Sequence, residues 1–361
     1  TGDCVDIAPQ CVAAEILKKV KQAYLNHYRK ATKMRAVITV PADFSEAQRS
    51  ATLEAAEIAG IDVIQLVSEP TAAAIACMQE LRIQGADIAD GRYMVVDMGG
   101  GTFDVSLIES RNEGRNLKVI DTQGDIFLGG RDIDKLIYDH YIETIERELT
   151  VGLDPNRYGI ATNEAIVKGI RSALQQLKAE ATECKVQLTT EDSYDLNVQE
   201  IRYLYENDKH GSITISREQL NSMIEKSEIP KKMEKLLNAI DQQGLKKVFL
   251  VGGSCEVPFI RDWIVKYFNG DDNFVYSDSN IQMLVPKGAA HLAYHMDYEE
   301  STFQSIIDIV SKSLGVELVG DAISVLLEKG RNLPAILERS LYGPVGQLLD
   351  QRRRRSGLGL L

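Results

Sequence analysis

The chain has 361 residues, 44% hydrophobic and 26% charged, a balance that fits folded globular protein and excludes both disorder and a membrane bundle. Asp and Glu number 53 against 41 Lys and Arg, and the resulting charge of -12 speaks against a general nucleic-acid or anionic-membrane surface. No apolar stretch is long enough to span a bilayer. The length suits two or three domains or one large two-lobed one. Cys4, Cys11, Cys77, Cys184 and Cys255 are odd in number, spread out and without a CxxC, so neither a disulfide framework nor a zinc site is expected and a reducing compartment is. No signal peptide opens the chain, and its start at Thr1 reads as a fragment or processed product.

In chain order, Pro9 opens a helix over 9–25 in which Val12, Ile16, Val20 and Tyr24 form one amphipathic stripe. The β-branched run 36–40, closed by Pro41, predicts a strand. Ser45 with Gln48 then predicts a capping box for a helix that Gly60 ends. A buried strand over 63–67 and a helix over 71–81 continue an α/β alternation, and the looser segment 83–91 is a candidate crossing between lobes. Residues 93–97 read as a strand, 99–101 as a glycine turn and 102–107 as its hairpin partner; a turn over 112–116 and a strand over 117–122 complete a meander. Helices are predicted over 133–149 and 164–187, strands near 196–205 and 212–215, and a helix capped by Ser216 with Gln219. The last core strand, 247–251, runs into Gly252-Gly253-Ser254 and a helix through Phe259, Ile260, Trp263, Ile264 and Tyr267. No internal repeat is evident.

The most informative string is Asp97-Met98-Gly99-Gly100-Gly101-Thr102-Phe103-Asp104. Three glycines let backbone N–H groups approach an anion with no Cβ in the way, Thr102 adds a hydroxyl, and Asp97 and Asp104 could hold a hydrated Mg²⁺. A plain glycine hairpin with two turn-capping aspartates is the competing reading. A dinucleotide fingerprint needs a helix after the glycines, whereas a strand follows here, and no GxxxxGK[ST] occurs. Gly252-Gly253-Ser254 lies between strand and helix, and Gly129-Gly130 opens a helix. Each could be a simple tight connection, but three such elements at strand ends in one α/β chain point to a phosphate cleft. In Ser68-Glu69-Pro70-Thr71 the carboxylate of Glu69 could orient a water or a metal, or serve only as a helix N-terminal charge. Five scattered histidines lack metal spacing, and Tyr24, Tyr203 and Trp263 fall on core-like stripes.

The strings VITVPADFSEAQRSAT (37–52), LVSEPTAAAIA (66–76), VVDMGGGTFDVS (95–106), GDIFLGGRDID (124–134) and VFLVGGS (248–254) resemble, in order and spacing, the nucleotide-binding domain of Hsp70 chaperones. The resemblance implies an α/β actin-like ATPase fold with two ribonuclease H-like lobes closing on ATP or ADP, Mg²⁺ and K⁺. It makes Gly99, Gly100, Gly101 and Thr102 a phosphate loop, Asp97 and Asp104 the carboxylates around metal and attacking water, and Glu69 the catalytic-centre glutamate. It implies that Gly129 and Gly130 line the nucleotide, that Gly252, Gly253 and Ser254 form the adenosine loop, and that Lys185 packs over the adenosine. Pro41 and Arg49 resemble the family's proline switch and its arginine relay. Residues 306–310 resemble the interdomain linker, and 313–315 with 329–334 the opening strands of the peptide-binding domain.

The expected organisation is the remainder of lobe I over 1–86, lobe II with a return helix over 87–298, a linker over 299–312, the start of the peptide-binding β-domain over 313–335, and an unmatched tail over 336–361. Arg352–Arg355 in that tail read as a solvated or artefactual run. The family's DLGTT-like first phosphate loop and the subdomain with its catalytic lysine are not in the sequence, so an N-terminally incomplete domain with impaired hydrolysis is expected. Further departures are Cys255-Glu256 where the family has an arginine stacking on the base, Thr182 and Val186 for Glu and Arg, Gln282 for Asp, and Pro286 inside the expected final helix. Implied partners are J-domain co-chaperones, nucleotide-exchange factors and, given a full peptide-binding domain, unfolded polypeptides; nucleic acid and membrane are not expected. The expected compartment is the cytoplasm, with the nucleus as the alternative. Two other functions compete: a catalytically inert Hsp70-like regulatory module, and another actin-like ATPase such as a sugar kinase or filament protein.

Overall fold

The computed structural model describes residues 7–149, 164–197, 212–270, 273–278, 280–297, 305–310, 312–318 and 322–333. The tail 336–361 with Arg352–Arg355, Tyr203, Cys4 and the predicted strand beyond residue 197 lie outside the described residues. The chain opens with α1 (Pro9–His27), β1 (Arg35–Val40), α2 (Glu46–Ile58), β2 (Asp62–Ser68) and α3 (Glu69–Ile83). The meander β3 (Gly91–Met98), β4 (Phe103–Arg111) and β5 (Asn116–Asp125) follows, then α4 (Gly130–Leu149) and α5 (Glu164–Gln187). After β6 (Ser193–Asn197) and β7 (Ser212–Ser216) come α6 (Arg217–Lys226), α7 (Ile229–Asn238), β8 (Leu245–Val251), α8 (Pro258–Tyr267), β9 (Val275–Tyr276) and α9 (Leu284–Asp297). The described chain ends with β10 (Ser305–Ile307), β11 (Leu314–Leu318) and β12 (Ala322–Leu327).

β1 and β2 pair in parallel, joined through α2. The predicted capping box forms: the Gln48 amide donates to Ser45 Oγ and the Ser45 amide to Gln48 Oε1 at 2.8 Å. Ser45→Ala is expected to cost about 1 kcal/mol, read as a lower denaturant midpoint at unchanged m. α1 differs from expectation. Val12, Ile16 and Val20 are 54%, 62% and 48% exposed, while Ala14 is buried and Leu17 packs on Ala56, Ala59 and Ile61. The face that wins is the one from which Lys21 also reaches the carbonyls of Ala59 and Gly60, at 3.2 and 2.6 Å, covering the C-terminus of α2.

The main sheet has the order β10-β5-β4-β3-β8-β9, antiparallel from β5 to β3 and parallel from β3 to β9. β10 extends it in parallel beside β5, so the residues expected to form a linker begin as a sheet strand. α3 is buried along most of its length, and its small side chains, Ala72, Ala73, Ala74 and Ala76, let it pack against both sheets and α9. Pro286 does not break α9. It sits in the first turn, just after a short 3₁₀ segment at Ile281–Met283, where its N–H would have no helical acceptor. β6 begins at Ser193, ahead of the predicted strand, and α7 was not foreseen although Ser227 Oγ accepts from the Ile229 amide at its start and Pro230 follows.

Candidate functional site

The site grows from the β3–β4 hairpin. Asp97 and Asp104 face each other across the antiparallel ladder, and the loop between them closes with the Gly99 amide donating to the Thr102 carbonyl at 3.0 Å. The first amides of α4 fix the loop from outside: Gly130 N–H donates to Gly99 O at 3.0 Å and Arg131 N–H to Gly100 O at 2.8 Å. Ser254 Oγ donates to Gly99 O at 2.8 Å. With those carbonyls held by the protein, the amides of Gly100, Gly101 and Thr102 have no protein acceptor among the described residues, which is what an anion-binding loop requires.

The other two glycine elements close on this loop. A Cβ at Gly129 would lie 2.6 Å from the Gly101 nitrogen and 2.7 Å from its Cα, and one at Gly130 would meet Ser254 Oγ and, at 2.9 Å, Lys185 Nζ. Gly252 has φ +84°, and a side chain there would strike Asp97 Oδ1 at 2.5 Å. Three sequence-distant glycine segments therefore form one cradle whose walls leave no room for side chains.

Carboxylates line one end of it. Asp97 is 6% exposed and Asp104 2%, and Asp104 Oδ1 has no partner among the described residues. Burial, and then the charges of Asp97, Glu69 and Asp43, push Asp104 up to about 8. Glu69, at the first residue of α3, is raised to about 7 by burial and by Asp97, and burial raises Asp97 to about 6. Asp43 completes the group, its Cβ and Asp104 Oδ1 both lying where a Cβ at Gly124 would stand. Among the described residues no group of three His, Cys, Asp or Glu can close on a metal directly. Two adjacent, buried, underpaired carboxylates instead suit a divalent cation that keeps most of its waters, so the residues fit Mg²⁺.

At the opposite end, Lys185 Nζ forms an ion pair with Asp134 at 2.7 Å and donates to Gly130 O at 3.2 Å. Gln282 Nε2 donates to Glu256 Oε2 at 2.8 Å and lies 3.3 Å from the Cβ position of Gly253. Cys255 is buried behind the loop, and Val186 is half-exposed.

The family model for Hsp70 protein matches residues 2–340. The chain belongs to the Hsp70 family. It is 33% identical over 335 residues to the chaperone protein DnaK of Psychrobacter cryohalolentis, covering 91% of this chain and 48% of that protein. To the DnaK of Stenotrophomonas maltophilia it is 32% identical over 344 residues, covering 92% of this chain and 50% of the relative. The chain thus spans about half the length of these curated relatives. Its α/β architecture is the actin-like ATPase fold of the Hsp70 family.

In this Hsp70 chain the two residues with an expected relay role take different places, Pro41 directly after the Val40–Ser68 pair that precedes Glu69 and Arg49 on α2. Pro41 ends β1, and its carbonyl accepts from the Phe44 amide at 3.2 Å. Arg49 lines a groove of about 730 Å³ whose other walls include Leu66, Ile306, Ile309, Leu314 and Leu333. The segment after β10 also reaches the site through residues that sequence reasoning missed. Asp308 accepts from the Ser68 amide at 3.1 Å, Ser68 Oγ at 3.0 Å and Thr71 Oγ1 at 2.7 Å, capping the helix that begins with Glu69. Lys312 pairs with Asp43 at 2.7 Å. The one sequence signal for Asp43 is its place just after Pro41 at a strand end. Asp308→Ala is expected to cost about 2 kcal/mol, since it leaves an N-terminal amide and two hydroxyls without a charged acceptor. Thermal unfolding against Asp308→Asn, which keeps an acceptor, measures it; equal stability of the two variants and the parent would contradict the cap.

Proposed function

We propose that the chain is an Hsp70-type nucleotide-binding unit that takes ATP or ADP with Mg²⁺ in the glycine cradle and uses ATP hydrolysis to govern polypeptide binding. The observation that carries this reading is the closure of Gly129 onto Gly100 and Gly101 and of Gly252 onto Met98 and Asp97 at the base of the same loop, beside buried carboxylates. In this reading the free amides of Gly100, Gly101 and Thr102 bind phosphate oxygens. Mg²⁺, held through water by Asp97 and Asp104, would offset phosphate charge, and K⁺ would serve as a second ion. Glu69, raised to about 7, is suited to orient a water and exchange its proton near neutral pH. Protein positioning and fixed charge carry such phosphoryl chemistry. Lys185, Gly253 and Ser254 take the nucleoside end, and Pro41 and Arg49 relay its state toward the groove at the linker.

The reading also divides the chain into a lobe-I portion to about residue 86, lobe II with its return helix to 298, a linker to 312 and the first strands of a peptide-binding domain. J-domain co-chaperones and nucleotide-exchange factors are the partners in this reading, with unfolded polypeptides given a full peptide-binding domain, and the cytoplasm is the compartment. No described helix is long and apolar enough to cross a membrane. One observation favours a second reading, an inert regulatory module with impaired hydrolysis: Glu256, tied to Gln282, brings a carboxylate to the nucleoside end. Phosphate release under single-turnover conditions, for the chain and for Glu69→Gln, separates the two. Release that is lost in the variant supports the ATPase, and nucleotide binding without release supports the inert module.

A further inference from the structure

Two basic side chains rest on the glycines of the cradle, and they are not equivalent. Lys185 is neutralised by Asp134 and hydrogen-bonded to Gly130 O. Arg131, the second residue of α4, has an exposed side chain with no hydrogen-bond or ion-pair partner among the described residues. Its guanidinium nevertheless folds back toward the loop. It lies against Gly101, where a Cβ on that residue would meet Cζ at 2.8 Å and Nε at 2.9 Å. The Arg131 amide is itself bonded to Gly100 O at 2.8 Å, so the residue is anchored to the loop at its backbone and folded back over it at its tip. An unneutralised planar fork on the rim of a loop with three free amides is suited to bind phosphate oxygens in a bidentate manner, which a lysine point charge does not reproduce. On the far side of the loop stand Asp97, Asp104, Glu69 and Asp43, so Arg131 supplies the positive charge that a polyphosphate needs against these acids.

We propose that Arg131 is a phosphate-recognising specificity residue of this chain, its guanidinium clasping the phosphate chain seated on Gly100–Thr102. The inference rests on the nucleotide reading above and adds a residue to it. The test is calorimetric titration of MgADP and MgATP into the parent chain, Arg131→Ala and Arg131→Lys, at two salt concentrations. Because the side chain is exposed and unpartnered, Arg131→Ala should unfold at the parent temperature. The expected result is a 10- to 100-fold weaker affinity for both nucleotides in Arg131→Ala, corresponding to about 1.4–2.7 kcal/mol. Arg131→Lys should recover only part of that loss, and Arg131→Ala should show a shallower salt dependence than the parent. Parent and Arg131→Ala binding equally well would overturn the role of Arg131 and leave the nucleotide reading standing. Tighter binding by Arg131→Ala would overturn it too, marking the side chain as a plug on the loop. Failure of the parent chain to bind either nucleotide would overturn both.

Discussion

Asp104→Asn is expected to raise the melting temperature at pH 8, in nucleotide- and metal-free buffer, by about 4 °C or more, while removing the stabilisation that MgATP gives the parent chain. The effect is one of proton linkage. Asp104 is raised from 3.8 to about 8, so over that interval the folded state holds a proton that the unfolded state releases. The stability of the ligand-free chain is therefore greatest in mild acid and falls as the pH rises through 4 to 8. Glu69, raised from 4.5 to about 7, and Asp97, raised from 3.8 to about 6, act in the same direction. The asparagine amide has nearly the same shape and removes a charge from a place 2% exposed. The stabilisation should shrink at pH 5, where the parent carboxyl is already protonated. An Asp104→Asn chain equally destabilised at both pH values would show that the carboxylate group is not held at a cost to the fold.

The second large effect is structural. Gly288 in α9 lies so close to α3 that a Cβ there would meet the Ala72 carbonyl carbon at 2.5 Å and its Cα at 3.1 Å, with the carbonyl oxygen closer still. These are backbone atoms of a buried helix, so no side-chain rotation relieves the clash. Gly288→Ala would gain about 1 kcal/mol of helix propensity. The overpacking outweighs it, and we expect a net loss of about 3 kcal/mol, or roughly 4 °C in melting temperature for a chain of this length. Because α3 begins with Glu69, a displacement of that helix should also weaken nucleotide binding. An unchanged melting temperature would mean that the two helices can part without loss.

Most of this fold was legible because its punctuation is local. Ser45 with Gln48 and Ser216 with Gln219 form the capping boxes that their spacing announced, and the glycine triple marks the β3–β4 turn. Three kinds of feature were not legible. The buried face of α1 depends on what α2 presents to it, so the conspicuous Val12, Ile16 and Val20 stripe pointed the wrong way. Pro286 looked like a helix breaker because its distance from the helix start is set by the 3₁₀ turn before it. Asp43 and Asp308 reach the site through pairings across the fold, Asp43 with Lys312 and Asp308 with Thr71, and no spacing rule along the chain relates such residues. The motif residues of the cradle, by contrast, carry their own signal in glycine, which is needed wherever two backbones meet without side chains.

The central claim is that the Gly99–Thr102 loop and the Asp97–Asp104 pair form a nucleotide phosphate site. It is tested most directly by calorimetric titration of the purified chain with MgATP alongside Asp97→Asn. The account predicts saturable one-to-one binding with a Kd of roughly 0.1 mM or tighter, about -5.5 kcal/mol, lost in Asp97→Asn. No binding by the parent chain at millimolar MgATP, or equal binding by the two proteins, would contradict it.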